Sequence, residues 1–233
     1  MKKPKFGVVV FPGSNSDHDA YYAVKKVLGY EAEFLWHKSK SLGNSDVIIL
    51  PGGFAYGDYL RTGAIARFSP IMHEVINFAE KGGKVMGICN GFQILLEAGL
   101  LPGVMLKNKS LQFVCKDVYL TITNEDTVYT KGIGKDKILK VPIAHGEGNY
   151  FADEETLKTL VKNNQIVFKY ATREGEVSEE INPNGSTVGI AGIINKQGNV
   201  LGMMPHPERA CDPVIRKTDG SIIFQALAGN IFN

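Results

Sequence analysis

The chain has 233 residues, of which 44% are hydrophobic and 21% charged, and its formal net charge is +2. This length and composition are typical of a globular protein with a substantial core. The small net charge and the lack of any Lys/Arg-rich run give no electrostatic basis for binding nucleic acid. Three cysteines are too few for a disulfide framework and favour a reducing compartment, and no apolar run is long enough to span a membrane. We therefore expect a cytoplasmic protein that binds neither nucleic acid nor a membrane.

The first half of the sequence alternates buried strands with helices. A β-branched run at 6–11 predicts a strand covered on both faces, and Ser16 or Asp17 is expected to cap a helix that ends near Leu28. The next predicted elements are strand, strand, helix, strand and helix, at 31–36, 46–50, 71–79, 85–88 and from residue 92. This order is typical of a doubly wound α/β sheet, whose ligand crevice lies at the carboxyl ends of the strands.

After Pro102-Gly103 the apolar residues alternate more, which predicts a smaller mixed or antiparallel portion. Strands are expected at 111–123, 137–142, 166–171, 188–194 and 200–204, the last two forming a hairpin, with helices at 154–161 and 219–232. Residues 173–185 are polar and are expected to form an exposed loop. No repeat or long linker divides the sequence. We therefore predict one domain, residues 1–233, with a mostly parallel, flavodoxin-like open sheet.

A glycine-flanked cysteine joins the strand at 85–88 to the helix that follows. The segment Gly87-Ile88-Cys89-Asn90-Gly91 has the pattern of a nucleophile elbow, a sharp strand-to-helix turn. Such a turn would lift the Cys89 side chain off the sheet and set it at a helix N-terminus, where thiolates and oxyanions are favoured. A plain connection with a buried cysteine explains this motif equally well when it is considered alone.

The candidate base for this cysteine is His206, which follows a predicted strand. Prolines at 205 and 207 restrict its backbone, and Glu208 is close enough to reach the far imidazole nitrogen and support an imidazolium. A lone His-Pro-Glu segment is more often a rigid surface turn. Combined with a cysteine at the end of another strand, it predicts a triad of Cys89, His206 and Glu208.

A thiolate attack on a carbonyl also needs two backbone donors for the oxyanion. One is the N–H of Asn90, and the other is expected from the glycine-containing loop at 50–54. His145 lies in a second glycine-rich segment, 144–150, which fits a binding loop and a structural loop equally well. No metal-ligand spacing and no P-loop sequence occurs, so we expect neither a metal nor a nucleotide site in this chain.

These motifs resemble those of the triad (class I) glutamine amidotransferases, in the same order along the chain. The matching segments are Pro51-Gly52-Gly53, Gly87-Ile88-Cys89-Asn90-Gly91-Phe92-Gln93 and His206-Pro207-Glu208. Longer segments at 52–61, 145–149 and 202–209 are similar to those of the amidotransferase subunits of phosphoribosylformylglycinamidine synthases, and the resemblance covers essentially the whole chain. Two positions depart from that pattern, because Ser16 and Thr62 stand where cysteine is frequent.

The resemblance implies a role for each site residue. Cys89 would be the nucleophile, His206 the base and Glu208 its orienting partner. The N–H groups of Gly53 and Asn90 would hold the oxyanion. Gly52 and Gln93 would contribute to the glutamine pocket. The other implied residues would face a partner subunit, and they are Phe54, Tyr56, Asp58, Tyr59, Arg61, His145 and Glu147; the less favoured alternative places the aromatic side chains of Phe54, Tyr56 and Tyr59 in the core.

The implied reaction is hydrolysis of glutamine to glutamate and ammonia through a cysteinyl thioester. Ammonia would pass to a larger synthase subunit that binds ATP and magnesium and converts formylglycinamide ribonucleotide to formylglycinamidine ribonucleotide in de novo purine biosynthesis. A small third subunit would bridge the two proteins. The chain itself would need no cofactor.

Two alternatives stay open at this point. A stand-alone cysteine hydrolase, such as a peptidase or a γ-glutamyl hydrolase, would not require the segments around Tyr56 and His145. A non-catalytic binding subunit of the same shape would have no chemical need for Cys89, His206 and Glu208 together.

Overall fold

The structure, a computed structural model, describes residues 3–232. Within that range the strands β1 to β11 run over Lys5–Val10, Glu31–Trp36, Val47–Leu50, Lys84–Ile88, Val104–Leu106, Val114–Ile122, Leu139–His145, Asn149–Phe151, Ile166–Ala171, Ile190–Ile194 and Val200–Met203. The helices α1 to α5 run over Asp17–Tyr21, Pro70–Glu80, Asn90–Glu97, Glu154–Lys162 and Asp219–Asn230. In this part of the chain, no helix has the length and apolar character needed to cross a bilayer.

Among the described residues, nine strands form one sheet in the order β2-β1-β3-β4-β11-β10-β9-β6-β7. The pairings from β2 to β11 are parallel, and those from β11 to β7 are antiparallel. The parallel strands are continuous apolar runs because a parallel sheet is covered on both faces, and every residue of β3 is buried. The predicted α/β fold is confirmed, with its parallel and antiparallel portions joined in a single sheet.

The two strands that precede the candidate triad lie side by side in this sheet. β4 pairs in parallel with β11, and Ile88 lies opposite Met203. Because parallel strands end at the same edge of a sheet, Cys89 and His206 emerge at one place. The Cys89 N–H donates to the Met203 carbonyl at 2.8 Å, which fixes the end of β4 against the end of β11.

Strand β7 continues past its predicted end at Pro142 as far as His145. Pro142 lies opposite Asp117 without breaking the strand, since β7 is at the edge of the sheet and needs no second set of ladder hydrogen bonds. The extension carries Ala144 to the catalytic edge, where its carbonyl lies 3.7 Å from the Cys89 Sγ. His145 is therefore the last residue of a strand and not part of a free loop.

The start of the first helix also differs from the prediction. Helix α1 ends at Tyr21, and wider π-type turns continue over Tyr22–Val27. Ser16 precedes the helix, but its side chain makes no capping hydrogen bond and contacts Arg209 instead. Asp17 is already the first helical residue. The antiparallel pair of β5 and β8 was not predicted, because three-residue strands are too short to show a periodicity.

Candidate active site

Cys89 occupies a strained turn between β4 and α3. Its backbone torsions, φ 50° and ψ −105°, lie outside the regions that side-chain-bearing residues normally adopt. The flanking glycines permit close packing: a Cβ on Gly91 would overlap the Leu50 carbonyl, and one on Gly87 would lie 2.5 Å from Leu95 Cδ1. The predicted elbow is present. The residue with the positive φ angle is the cysteine itself, and the two glycines allow α3 to pack closely against the sheet.

His206 and Glu208 form a buried pair beside this cysteine. Nδ1 of His206 lies 2.6 Å from Oε1 of Glu208, and the two side chains are 2% and 0% exposed. Burial disfavours an imidazolium, but the Glu208 carboxylate and the neighbouring Cys89 outweigh it and raise the pKa of His206 above its ordinary value. The ring is therefore held in its charged form near neutral pH, with Nδ1 bound to the carboxylate.

The reactive atoms of Cys89 and His206 lie beside each other at the edge of the cavity. The cysteine lines the cavity and is 4% exposed, its thiol interacts with the His206 ring, and it also makes a long contact of 3.7 Å with the Ala144 carbonyl. Nε2 of His206 has no hydrogen-bond partner within residues 3–232. Buried polar atoms nearly always have partners, so an unpaired imidazole nitrogen at this position is suited to proton transfer.

The glycine loop that follows β3 reaches the same edge. A Cβ on Gly52 would lie 2.6 Å from His206 Cε1, so only glycine leaves room for the ring. Gly53 lines the cavity that contains Cys89, and its N–H donates to no residue among those described. The N–H of Asn90, in the first turn of α3, has no intrahelical acceptor. The structure thus brings both predicted oxyanion donors next to Cys89.

A cavity of about 160 Å³ contains the cysteine. This volume is well below the roughly 300–1,000 Å³ of pockets for drug-sized ligands, so it suits a smaller molecule. The residues that line it come from the glycine loop, α3 and the end of β7, and they are Gly53, Phe54, Asp58, Thr62, Cys89, Gln93, Phe113, Ala144, His145, Gly146 and Glu147.

One wall of this cavity carries two carboxyl groups, those of Asp58 and Glu147. Burial and repulsion from Glu147 raise the pKa of Asp58 to about 6, although a hydrogen bond from Asn90 acts in the opposite direction. Glu147 Oε2 accepts a hydrogen bond from the Thr62 hydroxyl at 3.2 Å. Since no cation pairs with either carboxyl group within residues 3–232, this wall favours a positively charged group on a ligand.

Gln93, predicted to belong to the glutamine pocket, lines the cavity and joins its two sides. Its Oε1 accepts from Asn90 Nδ2 at 2.8 Å, and its Nε2 donates to the Glu147 carbonyl at 2.6 Å. The side chain of Asn90 also accepts from the Ala55 N–H at 3.0 Å. Helix α3 is thereby tied both to the glycine loop and to the segment that follows β7.

Asn108 was missed by the sequence reasoning, although it organises the segment that follows β7. It is completely buried, and its Oδ1 accepts from the Gly148 N–H and lies 3.0 Å from His145 Nδ1. Its Nδ2 donates at 2.8 Å to the carbonyls of Gln112 and His145. Burial, with repulsion from His206, lowers the pKa of His145 to about 4, so His145 is neutral and donates through Nδ1. A single asparagine in a predicted loop has no sequence signal for this role.

Two of the residues predicted to face a partner make side-chain hydrogen bonds within the chain. The Tyr56 hydroxyl lies 2.7 Å from His37 Nδ1 and 2.9 Å from Ser69 Oγ. His145 is 3% exposed, with both ring nitrogens contacting asparagine side chains. Hydrogen bonds within the chain thus hold the His145 ring inside the protein and tether the hydroxyl of the half-buried Tyr56, and a partner-facing role of these two residues stays a prediction.

The other five predicted partner-facing residues divide between cavity and surface. Asp58 and Glu147 line the cavity, so their charges are directed toward a ligand. Phe54, Tyr59 and Arg61 are exposed, and Tyr59 reaches 74% exposure. The exposure of this second group is consistent with direct contact with another protein.

Comparisons with known proteins agree with this geometry. Residues 3–222 match the family described as the CobB/CobQ-like glutamine amidotransferase domain. The chain is 54% identical over 227 residues to the phosphoribosylformylglycinamidine synthase subunit PurQ of Salinibacter ruber, with 97% of each chain covered. It is 56% identical over 225 residues to the PurQ subunit of Koribacter versatilis, again with 97% of each chain covered.

A solved structure agrees with these relatives. A chain in the structure of PurLQS from Thermotoga maritima matches with a TM-score of 0.85 and 42% identity, over 98% of this chain and 99% of that chain. The shared sequence therefore extends over nearly the whole fold. The chain belongs to the CobB/CobQ-like glutamine amidotransferases and, within them, to the PurQ family.

Proposed function

We propose that this chain is the glutaminase subunit of a phosphoribosylformylglycinamidine synthase in purine biosynthesis, with Cys89 as its nucleophile. The observation that supports the site most directly is the meeting of three features at one sheet edge. These are a strained cysteine, a buried His206–Glu208 pair and the N–H groups of Gly53 and Asn90, which have no acceptor within residues 3–232. The relatives at 54% and 56% identity are named as subunits of that synthase.

The first half of the reaction forms a thioester. The charged ring of His206 supports a thiolate on Cys89, which attacks the side-chain amide carbon of glutamine. The carbonyl oxygen becomes an oxyanion and accepts hydrogen bonds from the N–H groups of Gly53 and Asn90. Nε2 of His206 then protonates the amide nitrogen, the C–N bond breaks, and ammonia leaves.

The second half hydrolyses the thioester. His206, now neutral, takes a proton from a water molecule, whose oxygen attacks the thioester carbon. The same two N–H groups hold the second oxyanion, and the C–S bond breaks to release glutamate and restore the thiolate. Glu208 remains ionised throughout and stabilises the imidazolium each time it forms.

The acidic wall of the cavity accounts for recognition of an amino acid. The carboxyl groups of Asp58 and Glu147 would bind the α-ammonium group of glutamine, which is the only cationic group of that substrate. The volume of the cavity, about 160 Å³, is suited to a free amino acid.

The ammonia released would be used by a separate synthase subunit, which would bind ATP and magnesium, with a small third subunit bridging the two. The support for a docking surface is a group of exposed apolar side chains. Phe54 and Phe113 line the cavity yet are 46% and 56% exposed, while Tyr59 and Leu60 directly follow Asp58 and are 74% and 77% exposed. Exposed apolar side chains grouped around a site are typical of protein-binding surfaces.

The test is covalent labelling with a diazo-ketone analogue of glutamine, followed by mass spectrometry of the modified peptides. We expect one adduct, on the buried Cys89, while Cys115, which is exposed, stays unmodified. A Cys89→Ser variant should remain unlabelled and should hydrolyse no glutamine. Labelling of Cys115 instead, or an unmodified Cys89 both alone and with the synthase subunits present, would contradict the proposed function.

A further inference from the structure

The loop before α1 holds the Gly52–Gly53 peptide in one orientation. The Gly52 carbonyl accepts hydrogen bonds from the N–H groups of Asn15 at 3.3 Å and Ser16 at 3.1 Å. The C=O and N–H of a planar trans peptide point in opposite directions. Fixing the carbonyl toward residues 15 and 16 therefore turns the Gly53 N–H away from them. Because Gly53 lines the cavity that contains Cys89, this orientation supplies the oxyanion donor.

The same loop resists rotation of that peptide through backbone packing. Ser14 and Gly53 form an isolated antiparallel bridge, and the Phe54 N–H donates to the Gly13 carbonyl at 2.9 Å. Gly53 has φ 139°, and a Cβ there would lie 2.6 Å from the Asn15 nitrogen. Reversing the peptide would break the hydrogen bonds to Gly52 and separate two segments that are in direct contact.

Arg209 anchors this loop from the other side of the site. Ser16 is completely buried, and its hydroxyl accepts a hydrogen bond from Arg209 Nη2 at 2.6 Å. Nε of the same guanidinium donates to Asp19 Oδ2 at 3.0 Å. Arg209 directly follows Glu208 in the short helical turn Pro207–Ala210. One turn of the chain therefore carries both the partner of the catalytic base and the anchor of the oxyanion loop.

We propose that Arg209 is a positioning residue for glutamine hydrolysis, because its hydrogen bond to Ser16 sets the direction of the Gly53 N–H relative to His206. The inference rests on the proposed function of Cys89, His206 and Gly53. Arg209 does not line the cavity, and the proposed route to the substrate runs through Ser16 and the Gly52–Gly53 peptide. Loss of this anchor should weaken binding of the oxyanion and leave the Cys89–His206 pair intact.

The test compares Arg209→Met and Arg209→Lys with the wild type in the reconstituted synthase complex, in a Cys115→Ser background. Removing one oxyanion donor lowers kcat by roughly 10²–10³-fold, so misdirecting it in Arg209→Met should lower kcat by roughly 10–100-fold. The KM for glutamine should stay within about threefold, since the ground-state contacts are unchanged. Arg209→Lys retains one cationic donor and should recover part of the loss.

Alkylation of Cys89 by iodoacetamide needs no oxyanion donor. It therefore distinguishes a misdirected Gly53 N–H from damage to the Cys89–His206 pair. Its rate and pH profile should be the same in Arg209→Met and the wild type. A kcat within twofold of wild type would overturn the inference, and so would slowed alkylation, because that would locate the effect at Cys89 or His206. If Arg209→Met does not fold, Ser16→Ala removes the same hydrogen bond while keeping the Ser16 N–H, and the same criteria apply.

Two controls keep this inference distinct from the function it rests on. Arg173→Met removes an exposed arginine outside the cavity and should behave as wild type in every assay. Glutamine hydrolysis that survives Cys89→Ser would overturn the proposed function and this inference together. An inactive Cys89→Ser beside a fully active Arg209→Met would overturn this inference alone.

Discussion

Nδ1 of His206 lies 2.6 Å from Oε1 of Glu208, inside a site where both side chains are almost fully enclosed. The outer atoms of the pair, His206 Nε2 and Glu208 Oε2, have no hydrogen-bond partner within residues 3–232. A carboxylate with one unsatisfied buried oxygen does not stabilise a fold efficiently. Its position instead raises the pKa of the imidazole that it contacts.

Replacing Glu208 by glutamine should therefore lower the His206 pKa toward its ordinary value. The ring would lose its proton at a lower pH, so the alkaline limb of the Cys89 alkylation profile should move to lower pH. We expect kcat for glutamine hydrolysis to fall by roughly 10²–10⁴-fold, as for other triads that lose their orienting carboxylate. Glu179→Gln, at an exposed glutamate, is the matched control. An unchanged alkylation profile in Glu208→Gln would show that the carboxylate does not tune the base.

Gly52→Ala tests the space that His206 occupies. The added Cβ would lie 2.6 Å from His206 Cε1 and 3.3 Å from Nδ1, so the ring must shift. A misplacement of about 1 Å at a reacting group lowers rates by roughly 10²-fold, and we expect a loss in kcat of that order.

The control for this substitution is Gly229→Ala in α5, where a Cβ would meet no atom of residues 3–232 within 4 Å. That variant should keep full activity and gain up to about 1 kcal/mol of stability, because alanine favours a helix over glycine. Both variants should unfold cooperatively in thermal melts. Full activity of Gly52→Ala would mean that the His206 ring can move without consequence.

The raised pKa of Asp58 predicts that glutamine binding depends on pH. Its pKa is raised by burial and by Glu147 to about 6, so below that pH the carboxyl group is neutral and cannot attract an α-ammonium group. The KM for glutamine should rise as the pH falls below about 6. In Asp58→Asn the KM should be higher at pH 8, by roughly 10-fold for a lost charge-assisted hydrogen bond, with a weaker pH dependence. A KM that is independent of Asp58 at all pH values would remove it from the binding site.

The raised pKa of Asp58 also predicts how the unfolding free energy changes with pH. The folded-state pKa of about 6 exceeds the ordinary aspartate pKa of 3.8, so the folded protein binds more protons than the unfolded chain between these two values. The Asp58 contribution to the unfolding free energy therefore decreases as the pH rises through this window. The unfolding free energy of Asp58→Asn minus that of the wild type should therefore be larger at pH 7 than at pH 4, as measured by denaturant unfolding at both pH values.

Asn108→Ala tests the residue that holds the segment after β7. The substitution leaves the Gly148 N–H, the His145 ring and two carbonyls without their buried partner. Each unsatisfied buried group costs about 1–3 kcal/mol, so we expect a loss of at least that size in the unfolding free energy, with a raised KM. Asn77→Ala, at an exposed position of α2, should change stability by less than about 0.5 kcal/mol. Equal stability of the two variants would contradict the network.

Tyr59 and Arg61 test the proposed docking surface. Tyr59 is 74% exposed, and Arg61 makes a solvent-exposed pair with Glu97, its Nε and Nη2 each 2.7 Å from a carboxylate oxygen. Exposed ion pairs add little stability, so Tyr59→Ala and Arg61→Ala should fold normally. We expect glutamine-dependent synthase turnover to fall while turnover with added ammonia stays constant. Val161→Ala, at an exposed position of α4, serves as the control. Unchanged glutamine-dependent turnover in both variants would remove this surface from the interface.

Much of the site could be predicted because its signals are local. The elbow around Cys89 combines a short apolar strand, a turn and an apolar helix, and each of these is encoded within a few residues. The His-Pro-Glu turn also follows directly on a strand. Because neighbouring parallel strands end at the same edge of a sheet, the two motifs lie close together. The sequence shows that Gly87 and Gly91 belong to the motif. Their close packing against Leu95 and Leu50 is visible only in the folded protein.

The sequence carries no indication of side-chain contacts that depend on distant residues. Tyr56 was expected to face a partner, and the structure adds that its hydroxyl contacts His37 and Ser69 from other parts of the chain. His145 was placed in a free loop, because nothing near it in sequence indicates that β7 extends past Pro142 or that Asn108 binds its ring.

The sequence alone determined the order of elements, the nucleophile elbow and the candidate triad, because strand and helix periodicity and turn chemistry act over short stretches. Only the tertiary structure decided which side chains line the cavity and which way the Gly53 N–H points. The direction of that N–H depends on hydrogen bonds from Asn15 and Ser16 to the Gly52 carbonyl. Such contacts join segments far apart in the chain, and they form only when the sheet brings those segments together.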